Sequence, residues 1–238
     1  MFKQHVQDTV EAHYNHLVNL GYDVVGVFLY GSQNYQLDYE QSDVDTKAII
    51  LPPLEDIIMG YAPESKSITM EDGGLCDVKD IRLFFRQIKS QNINFIETLF
   101  TDYYKLNPNY EYLYLPMFEK REDIARLNEF LSISCIYGMA NEKSKHLLTY
   151  PAEDASLGYN RKRLYQLYRL RDFLLRYCCK EKYEDILIPR EKNLLFQIKT
   201  ESPYTKEEAL TLTEAILKDM RLVYLINKPS CLPENKET

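Results

Sequence analysis

The sequence predicts an α+β protein, in which a small mixed or antiparallel sheet with flanking helices precedes a mainly helical C-terminal domain. Short β-branched apolar runs occur in the first hundred residues, without the regular alternation with helices that a doubly wound fold shows. The remaining chain has apolar residues at helical spacing. A stretch rich in Tyr, Asn and Pro, residues 102–120, lies between the two regions. We therefore predict domains over residues 1–105 and 106–238.

The chain is predicted to begin with a helix and a buried strand. Apolar residues recur at helical spacing over residues 3–20, and Gly21 is a typical residue to end such a helix. Residues 24–29 are a short apolar run rich in valine, which is typical of a buried strand. This strand stops at Gly31 and Ser32, so the next residues are predicted to turn.

The elements predicted after this turn are a strand, a hairpin and two helices. Two consecutive prolines end the strand, and a Glu-Asp-Gly-Gly sequence supplies the hairpin turn. Apolar residues then follow a helical spacing. In chain order, these predictions cover residues 44–51, 67–70, 75–79 and 81–100.

The second domain is predicted to be helical. Residues 122–147 and 160–180 carry apolar side chains at helical spacing. A last long helix is predicted to begin at Thr205, because Thr205 followed three residues later by Glu208 is the pattern of a capping box. We find no internal repeat in the sequence.

Composition excludes several classes of protein. The net charge is −7, from 36 acidic and 29 basic residues, which argues against nonspecific binding to nucleic acid. The five cysteines show no C-x-x-C spacing and are typical of reduced intracellular thiols. No stretch approaches 18 apolar residues, so neither a signal peptide nor a membrane span is expected. These observations favour a cytoplasmic protein.

The most informative motif joins a glycine turn to a pair of aspartates. Gly31 and Ser32 follow the first strand, and Asp43 and Asp45 open the second predicted strand about ten residues later. Residues two apart on a strand share a face, so both carboxylates are expected to point the same way. Two adjacent carboxylates repel each other unless a cation lies between them, and carboxylate oxygens suit Mg²⁺ or Mn²⁺. Gly31 permits close approach of a phosphate, and Ser32 supplies a hydroxyl and a backbone N–H.

This motif resembles the signature of the DNA polymerase β-like nucleotidyltransferase superfamily. The fuller string Gly-Ser-Gln-Asn-Tyr with Ser-Asp-Val-Asp-x-Lys is similar to one branch of predicted bacterial and phage nucleotidyltransferases. Residues 77–100 and 158–162 extend the likeness, which covers residues 20–180 with less specific outer segments. The branch commonly has Gly where this chain has Gln36 and an aliphatic residue where it has Thr46. Neither departure removes a metal ligand. They affect the expected loop conformation and the expected acceptor-binding side of the site more than the expected metal site.

The resemblance implies roles for particular residues. Gly31 and Ser32 would hold the triphosphate, and Asp43 and Asp45 would bind the metals. The superfamily usually adds a third carboxylate on a neighbouring strand, which would bind metal and deprotonate the acceptor. We assign it to Asp77, because strand alternation turns Asp77 away from the face of Cys76 and Val78. Asp80 and Asp72 are the alternatives, and Asp72 has the character of a turn residue.

A basic helix is the second candidate feature. Residues 161–182 contain eight Lys or Arg residues and two acids, and Lys162, Arg169 and Arg176 share one face at intervals of seven. The resemblance favours Lys162 and Arg169 as further ligands of the triphosphate. Arg176, Lys180 and Lys182 are predicted to be a solvated face. Lys143 and Lys145 receive no assignment. Lys47 is expected to be structural and to face away from Asp43 and Asp45.

Taken together, these features predict a metal-dependent nucleotidyltransferase with Mg²⁺ or Mn²⁺, in a two-metal site, as cofactor. It would transfer a nucleoside monophosphate from a nucleoside triphosphate, ATP included, to an acceptor hydroxyl and release pyrophosphate. The acceptor stays open between an RNA end, a small molecule and a protein, as does the oligomeric state. The alternatives are a catalytically silent nucleotide-binding regulatory module and a plain scaffold protein.

Overall fold

A computed structural model describes residues 3–38 and 42–229 of the chain. The chain divides into two compact units. Unit 1 comprises Met1–Leu127 and Lys182–Ile188, and unit 2 comprises Asn128–Glu181 and Pro189–Thr238. Compactness does not measure independent folding, so the predicted division at residues 105 and 106 stays a prediction.

Unit 1 contains a five-stranded mixed sheet. Its strands are β1 (Asp23–Leu29), β2 (Thr46–Leu51), β3 (Ser65–Thr69), β4 (Leu75–Asp80) and β5 (Tyr104–Leu106). They lie in the order β3-β4-β2-β1-β5, in which the pair β2 and β4 is parallel and all other neighbours are antiparallel. With its flanking helices and the helical unit 2, this sheet confirms the predicted α+β class.

Unit 1 also contains helices that lie before, between and after these strands in the chain. Helix α1 packs on one face, where Val6, Val10 and Leu17 join the core formed by β1, β2 and β4. Gly21 follows this helix with a φ of +86°, which confirms its predicted role at the helix end. The α-helices of this unit are α1 (Gln4–Asn19), α2 (Leu54–Ile58), α3 (Ile81–Lys89), α4 (Ile93–Ile96), α5 (Glu111–Glu119), α6 (Arg121–Ala125) and α9 (Tyr183–Leu187). A 3₁₀ turn, Glu97–Leu99, follows α4.

Three local predictions need correction. Strand β2 begins at Thr46, two residues later than predicted, so Asp43 and Asp45 precede the strand. Part of the predicted separating stretch is the edge strand β5, which pairs with β1 through Gly26, Val27 and Phe28. The helix predicted over residues 122–147 is interrupted between α6 and the next helix, which begins at Glu129. A three-residue strand is too short for a period-two signal, so β5 could not be seen in the pattern.

Unit 2 is helical, as predicted. Its α-helices are α7 (Glu129–Lys145), α8 (Arg161–Cys178), α10 (Lys192–Thr200) and α11 (Lys206–Asn227), with a 3₁₀ turn at Ala152–Asp154. The predicted capping box is present at the start of α11, where Thr205 and Glu208 each accept a backbone N–H of the other. Asn128 and Asn160 cap α7 and α8 more simply: each side chain accepts one backbone N–H, from Leu131 and Arg163 respectively.

Candidate functional site

The chain that follows β1 forms a hydrogen-bonded turn of backbone that begins at Gly31, the glycine turn. Gly31 has a φ of +89°, a left-handed conformation that glycine adopts without strain. The N–H groups of Asn34 and Tyr35 donate to the carbonyls of Gly31 and Ser32 at 3.0 and 3.2 Å. Within the described residues, the N–H groups of Ser32 and Gln33 donate to no backbone or side-chain acceptor. Two donors therefore remain available at the start of this turn.

Gln36 closes the turn in the left-handed region, with a φ of +56°. A non-glycine residue in this region carries a conformational cost. Glycine at this position would adopt the same backbone without that cost. Gln36 is therefore a left-handed residue that is not glycine.

Asp45 lies directly beside the glycine turn. Its carbonyl accepts from the N–H of Tyr30 at 3.1 Å, which ties the two chain segments together. Its carboxylate Oδ1 accepts from the N–H of Leu75 at 3.1 Å. A Cβ placed on Gly31 would lie 3.9 Å from Asp45 Oδ2, so a larger residue at Gly31 would border the carboxylate. The structure thus brings together Gly31 and Asp45, which sequence analysis linked only by spacing.

Asp43 is exposed and lies outside β2. The argument that strand alternation points Asp43 and Asp45 the same way therefore does not apply. Across residues 3–38 and 42–229, no group of three or more His, Cys, Asp or Glu side chains is arranged to hold a metal ion. The assignment of Asp43, Asp45 and Asp77 as catalytic metal ligands stays a prediction.

Asp77 is surrounded by cationic groups. Lys47 Nζ lies 3.1 Å from its Oδ2 and Lys79 Nζ lies 2.8 Å from its Oδ1, which also accepts from Ser67 at 3.2 Å. Burial raises the pKa of the Asp77 carboxyl, but the hydrogen bonds and charges of Lys79 and Lys47 outweigh it and leave the pKa below its usual value. Asp77 is therefore a charged carboxylate whose two oxygens already face ammonium groups.

Lys47, which the sequence predicted to be structural, is one of the two lysines that pair with Asp77. It is 2% exposed, and its ammonium lies 4.7 Å from the ring centre of Tyr30 and 4.4 Å from that of Phe95. Lys47 is directly opposite Asp77 in the parallel register of β2 and β4, so both side chains share one face. Because Lys47 and Asp77 belong to different strands, no local spacing in the sequence indicated that they meet.

Tyr30 and Glu97 complete this group. Burial raises the pKa of Tyr30, and the negative charges of Asp45, Asp77 and Glu97 raise it further. Glu97 is 2% exposed and accepts a hydrogen bond from Tyr35, the residue within the glycine turn. Both residues belong to the motifs that carry the resemblance, but neither was assigned a role.

Asp80 and Asp72, the two alternatives to Asp77, both form hydrogen bonds that stabilise local structure. Asp80 caps α3 by accepting from the backbone N–H of Arg82 at 2.7 Å. It also forms an ion pair with the Arg82 side chain at 2.6 Å. Asp72 accepts from the N–H of Gly74 at 3.1 Å in the hairpin turn, as expected of a turn residue. It also lies 3.2 Å from Nε2 of His13.

The basic residues predicted to bind phosphate lie on α8 in unit 2. Lys162 is exposed and Arg169 is buried, and their assignment as nucleotide ligands stays a prediction. Arg176 is also buried, with ion pairs to Asp172 at 3.4 Å and Glu181 at 2.8 Å. The prediction of a solvated face is therefore wrong for Arg176, because the two acids of this segment fold back onto it.

The residues of unit 1 fit a divalent cation in part. Asp45 offers a carboxylate oxygen beside the phosphate turn, and such hard oxygen ligands suit Mg²⁺. At Asp77, a metal would have to displace Lys47 or Lys79 from the oxygen that each contacts. The donor set fits one cation at Asp45 better than a pair of cations that Asp77 also binds.

Comparison with known proteins gives a distant likeness of fold. No family model and no curated protein matches the sequence. Among six matching chains of known structure is a nucleotidyltransferase-like protein from Exiguobacterium sibiricum 255-15. That match has 10% identity and a TM-score of 0.33, and it covers 92% of this chain and 74% of the other. Values this low carry no argument about chemistry. Among the described helices, none has the length and apolar character required to cross a membrane.

Proposed function

We propose that this chain is a nucleotidyltransferase that binds a nucleoside triphosphate at the Gly31-Ser32 turn and a divalent cation at Asp43 and Asp45. The observation that carries the proposal is that the two parts of this motif, the glycine turn and Asp45, lie side by side in the structure. The open N–H groups of Ser32 and Gln33 begin a turn that borders the Asp45 carboxylate. Phosphate oxygens accept from such backbone donors, and a cation beside them neutralises the remaining charge.

Asp45 is held in place by the backbone. The N–H of Leu75 donates to Oδ1, and Tyr30 holds the Asp45 carbonyl, so the carboxylate needs little reorganisation to accept a cation. Asp43 would supply the second carboxylate from the exposed segment before β2. When bound, the cation would stabilise the negative charge of the transferring phosphate and of the leaving pyrophosphate.

The reaction would displace pyrophosphate from the nucleotide. An acceptor oxygen forms a bond to the α-phosphorus while the bond from that phosphorus to the bridging oxygen breaks, and pyrophosphate carries away the electron pair. The acceptor proton passes to a carboxylate or to water. Asp77 remains our candidate for the acceptor side, where Lys47 and Lys79 would orient it. The acceptor is an RNA end, a small molecule or a protein hydroxyl.

A silent nucleotide-binding module is the second candidate function. The observation that favours it is the double ion pair of Asp77 with Lys47 and Lys79. If these pairs persist when nucleotide is bound, Asp77 neither binds a metal nor accepts a proton. The protein would then bind nucleotide without transferring it.

Pyrophosphate release from a mixture of the four nucleoside triphosphates with Mg²⁺ and candidate acceptors tests the proposal. We expect Asp45→Asn to lower the rate by at least about a hundredfold, because a neutral amide is a poor ligand for a hard cation. Glu71→Gln, which removes the same charge from the exposed hairpin turn, serves as the control and should retain the rate. Undiminished release by Asp45→Asn would overturn the assignment, and nucleotide binding without release by the wild type would favour the silent module.

A further inference from the structure

Lys3 lies at the start of α1, where its main chain is fixed beside the end of β1. Its backbone N–H donates to the hydroxyl of Tyr103 at 2.7 Å. The carbonyl of Tyr103 in turn accepts from the N–H of Leu29, the last residue of β1, at 3.0 Å. Because the glycine turn begins two residues after Leu29, these bonds hold Lys3 close to that turn.

The side chain of Lys3 contacts the glycine turn itself. Its ammonium donates to Oε1 of Gln33 at 3.1 Å and forms an ion pair with Asp38. The side chains of Lys3 and Asp38 are 36% and 17% exposed. A partly buried pair is screened less by water and salt than a fully exposed one, so the ammonium keeps a defined place between Gln33 and Asp38.

This contact determines the orientation of the Gln33 amide. An ammonium group can only donate hydrogen bonds, so the atom of Gln33 that faces Lys3 must be its oxygen. The amide nitrogen then faces the opposite way, where Nε2 donates a long hydrogen bond of 3.4 Å to the carbonyl of Ser42. Gln33 therefore connects Lys3 and the glycine turn to the segment that carries Asp43.

Asp43 requires such a connection because β2 does not orient it. Asp43 precedes the strand, so strand alternation does not set the direction of its side chain. Asp45, by contrast, is held by backbone bonds from Leu75 and Tyr30. The carbonyl of Ser42 and the N–H of Asp43 belong to one planar peptide unit. A hydrogen bond to that carbonyl therefore restricts the backbone from which the Asp43 side chain extends.

We infer that Lys3 and Gln33 form a positioning pair, which holds Asp43 beside the glycine turn so that it binds a cation together with Asp45. Lys3 orients the Gln33 amide, and Gln33 restrains the peptide unit of Asp43. The role in cation binding rests on the proposed function, whereas the contacts do not. Residues that orient a metal ligand typically change metal affinity by about ten- to a hundredfold when they are replaced.

Nuclear magnetic resonance of the protein in EDTA tests the contacts without a metal. Loss of the Gln33 hydrogen bond should shift the backbone amide resonance of Asp43 in Gln33→Met. Lys3→Met should shift it too, whereas Lys3→Arg keeps a donor and should restore it. The matched control is Gln7→Met, which removes the same amide from α1, where it donates to the carbonyl of Tyr104 at 3.1 Å. This control should leave the Asp43 resonance at its wild-type position.

Electron paramagnetic resonance of Mn²⁺ measures the consequence for cation binding. We expect Gln33→Met to weaken Mn²⁺ binding about tenfold. In an Asp43→Asn background the same substitution should have almost no further effect, because Gln33 acts through Asp43. A merely structural role of Gln33 would weaken binding equally in both backgrounds. Gln7→Met should retain the Mn²⁺ affinity of its parent in each background.

The inference is overturned if the Asp43 resonance does not move in Gln33→Met, or if it moves as far in Gln7→Met. Equal weakening of Mn²⁺ binding by Gln33→Met in both backgrounds would also overturn it.

The proposed function and the positioning pair can fail separately. If Asp43→Asn binds Mn²⁺ as the wild type does while Gln33→Met shifts the Asp43 resonance, the proposed cation site is contradicted and the pair still restrains Asp43. Weaker Mn²⁺ binding by Asp43→Asn, with an unmoved Asp43 resonance in Gln33→Met, contradicts only the positioning pair.

Discussion

At the scale of single residues, Lys47 is the buried cation that pairs with Asp77 in the candidate site. Its ammonium is buried between two aromatic rings and is neutralised by Asp77. A buried ion pair stabilises a fold less than its charges suggest, but loss of one partner leaves the other uncompensated. Lys79 also contacts Asp77, so this carboxylate would keep one cation after Lys47 is removed.

We therefore predict that Lys47→Met lowers the free energy of unfolding by about 1–3 kcal/mol, since Asp77 stays partly paired. Urea unfolding monitored by circular dichroism measures this change. Lys66→Met is a matched control, because Lys66 also lies 4.7 Å from a tyrosine ring and pairs with a glutamate, but is exposed. Its loss should change stability by less than about 0.5 kcal/mol. Equal effects of the two substitutions would contradict the role given to Lys47.

At the scale of elements, the turn between β3 and β4 links His13 on α1 to Asp45 through a series of hydrogen bonds. His13 on α1 is buried and lies 2.8 Å from the Thr46 hydroxyl and 3.2 Å from Asp72. Asp72 accepts from Gly74, whose backbone packs so closely on the Val44 carbonyl that a Cβ there would lie 2.5 Å from it. Leu75, the next residue, donates to Asp45.

We predict that Asp72→Ala destabilises the protein by about 1–2 kcal/mol, because His13 and Gly74 each lose an acceptor. It should also weaken Mn²⁺ binding about tenfold through the displaced Leu75 N–H. Asp72→Asn keeps an oxygen that accepts from both groups and should restore both properties. Electron paramagnetic resonance of Mn²⁺ and urea unfolding measure the two effects. If Asp72→Ala binds Mn²⁺ with the affinity of the wild type, the turn does not position Asp45 for cation binding.

At the scale of the whole molecule, carboxylates with lowered pKa values occur in both units. In unit 1 these are Asp77 and Asp80, and in unit 2 they are Glu142, Glu181 and Glu208. A carboxyl whose pKa is lower in the folded state binds fewer protons there than in the unfolded chain. Its stabilising contribution is therefore present above the ordinary carboxyl pKa and is lost as the pH falls through the lowered value.

We predict that the free energy of unfolding stays nearly constant from pH 7 to about pH 5 and declines below about pH 4. Urea unfolding over this range measures the slope. Asp80→Ser should reduce the acid slope, because serine keeps a cap for α3 but does not titrate. Its stability at pH 7 should be lower, because the ion pair with Arg82 is lost. An unchanged slope in Asp80→Ser would show that protonation of Asp80 does not contribute to the loss of stability in acid.

The sequence by itself determined the features that depend on neighbouring residues. Apolar periodicity located α1, β1 and α8, the capping box located α11, and Gly31 with Asp45 marked the candidate site. These signals are local, because caps, turns and amphipathic faces depend on residues within a few positions.

Only the tertiary structure decided which distant residues meet. The parallel register of β2 and β4 places Lys47 against Asp77, and the folding of unit 2 places Arg171 on α8 against Asp219 on α11. Strand order and helix packing follow from the burial of whole faces, which many alternative pairings satisfy equally well in one sequence. For this reason the sequence located the candidate site, whereas only the fold showed which charges surround it.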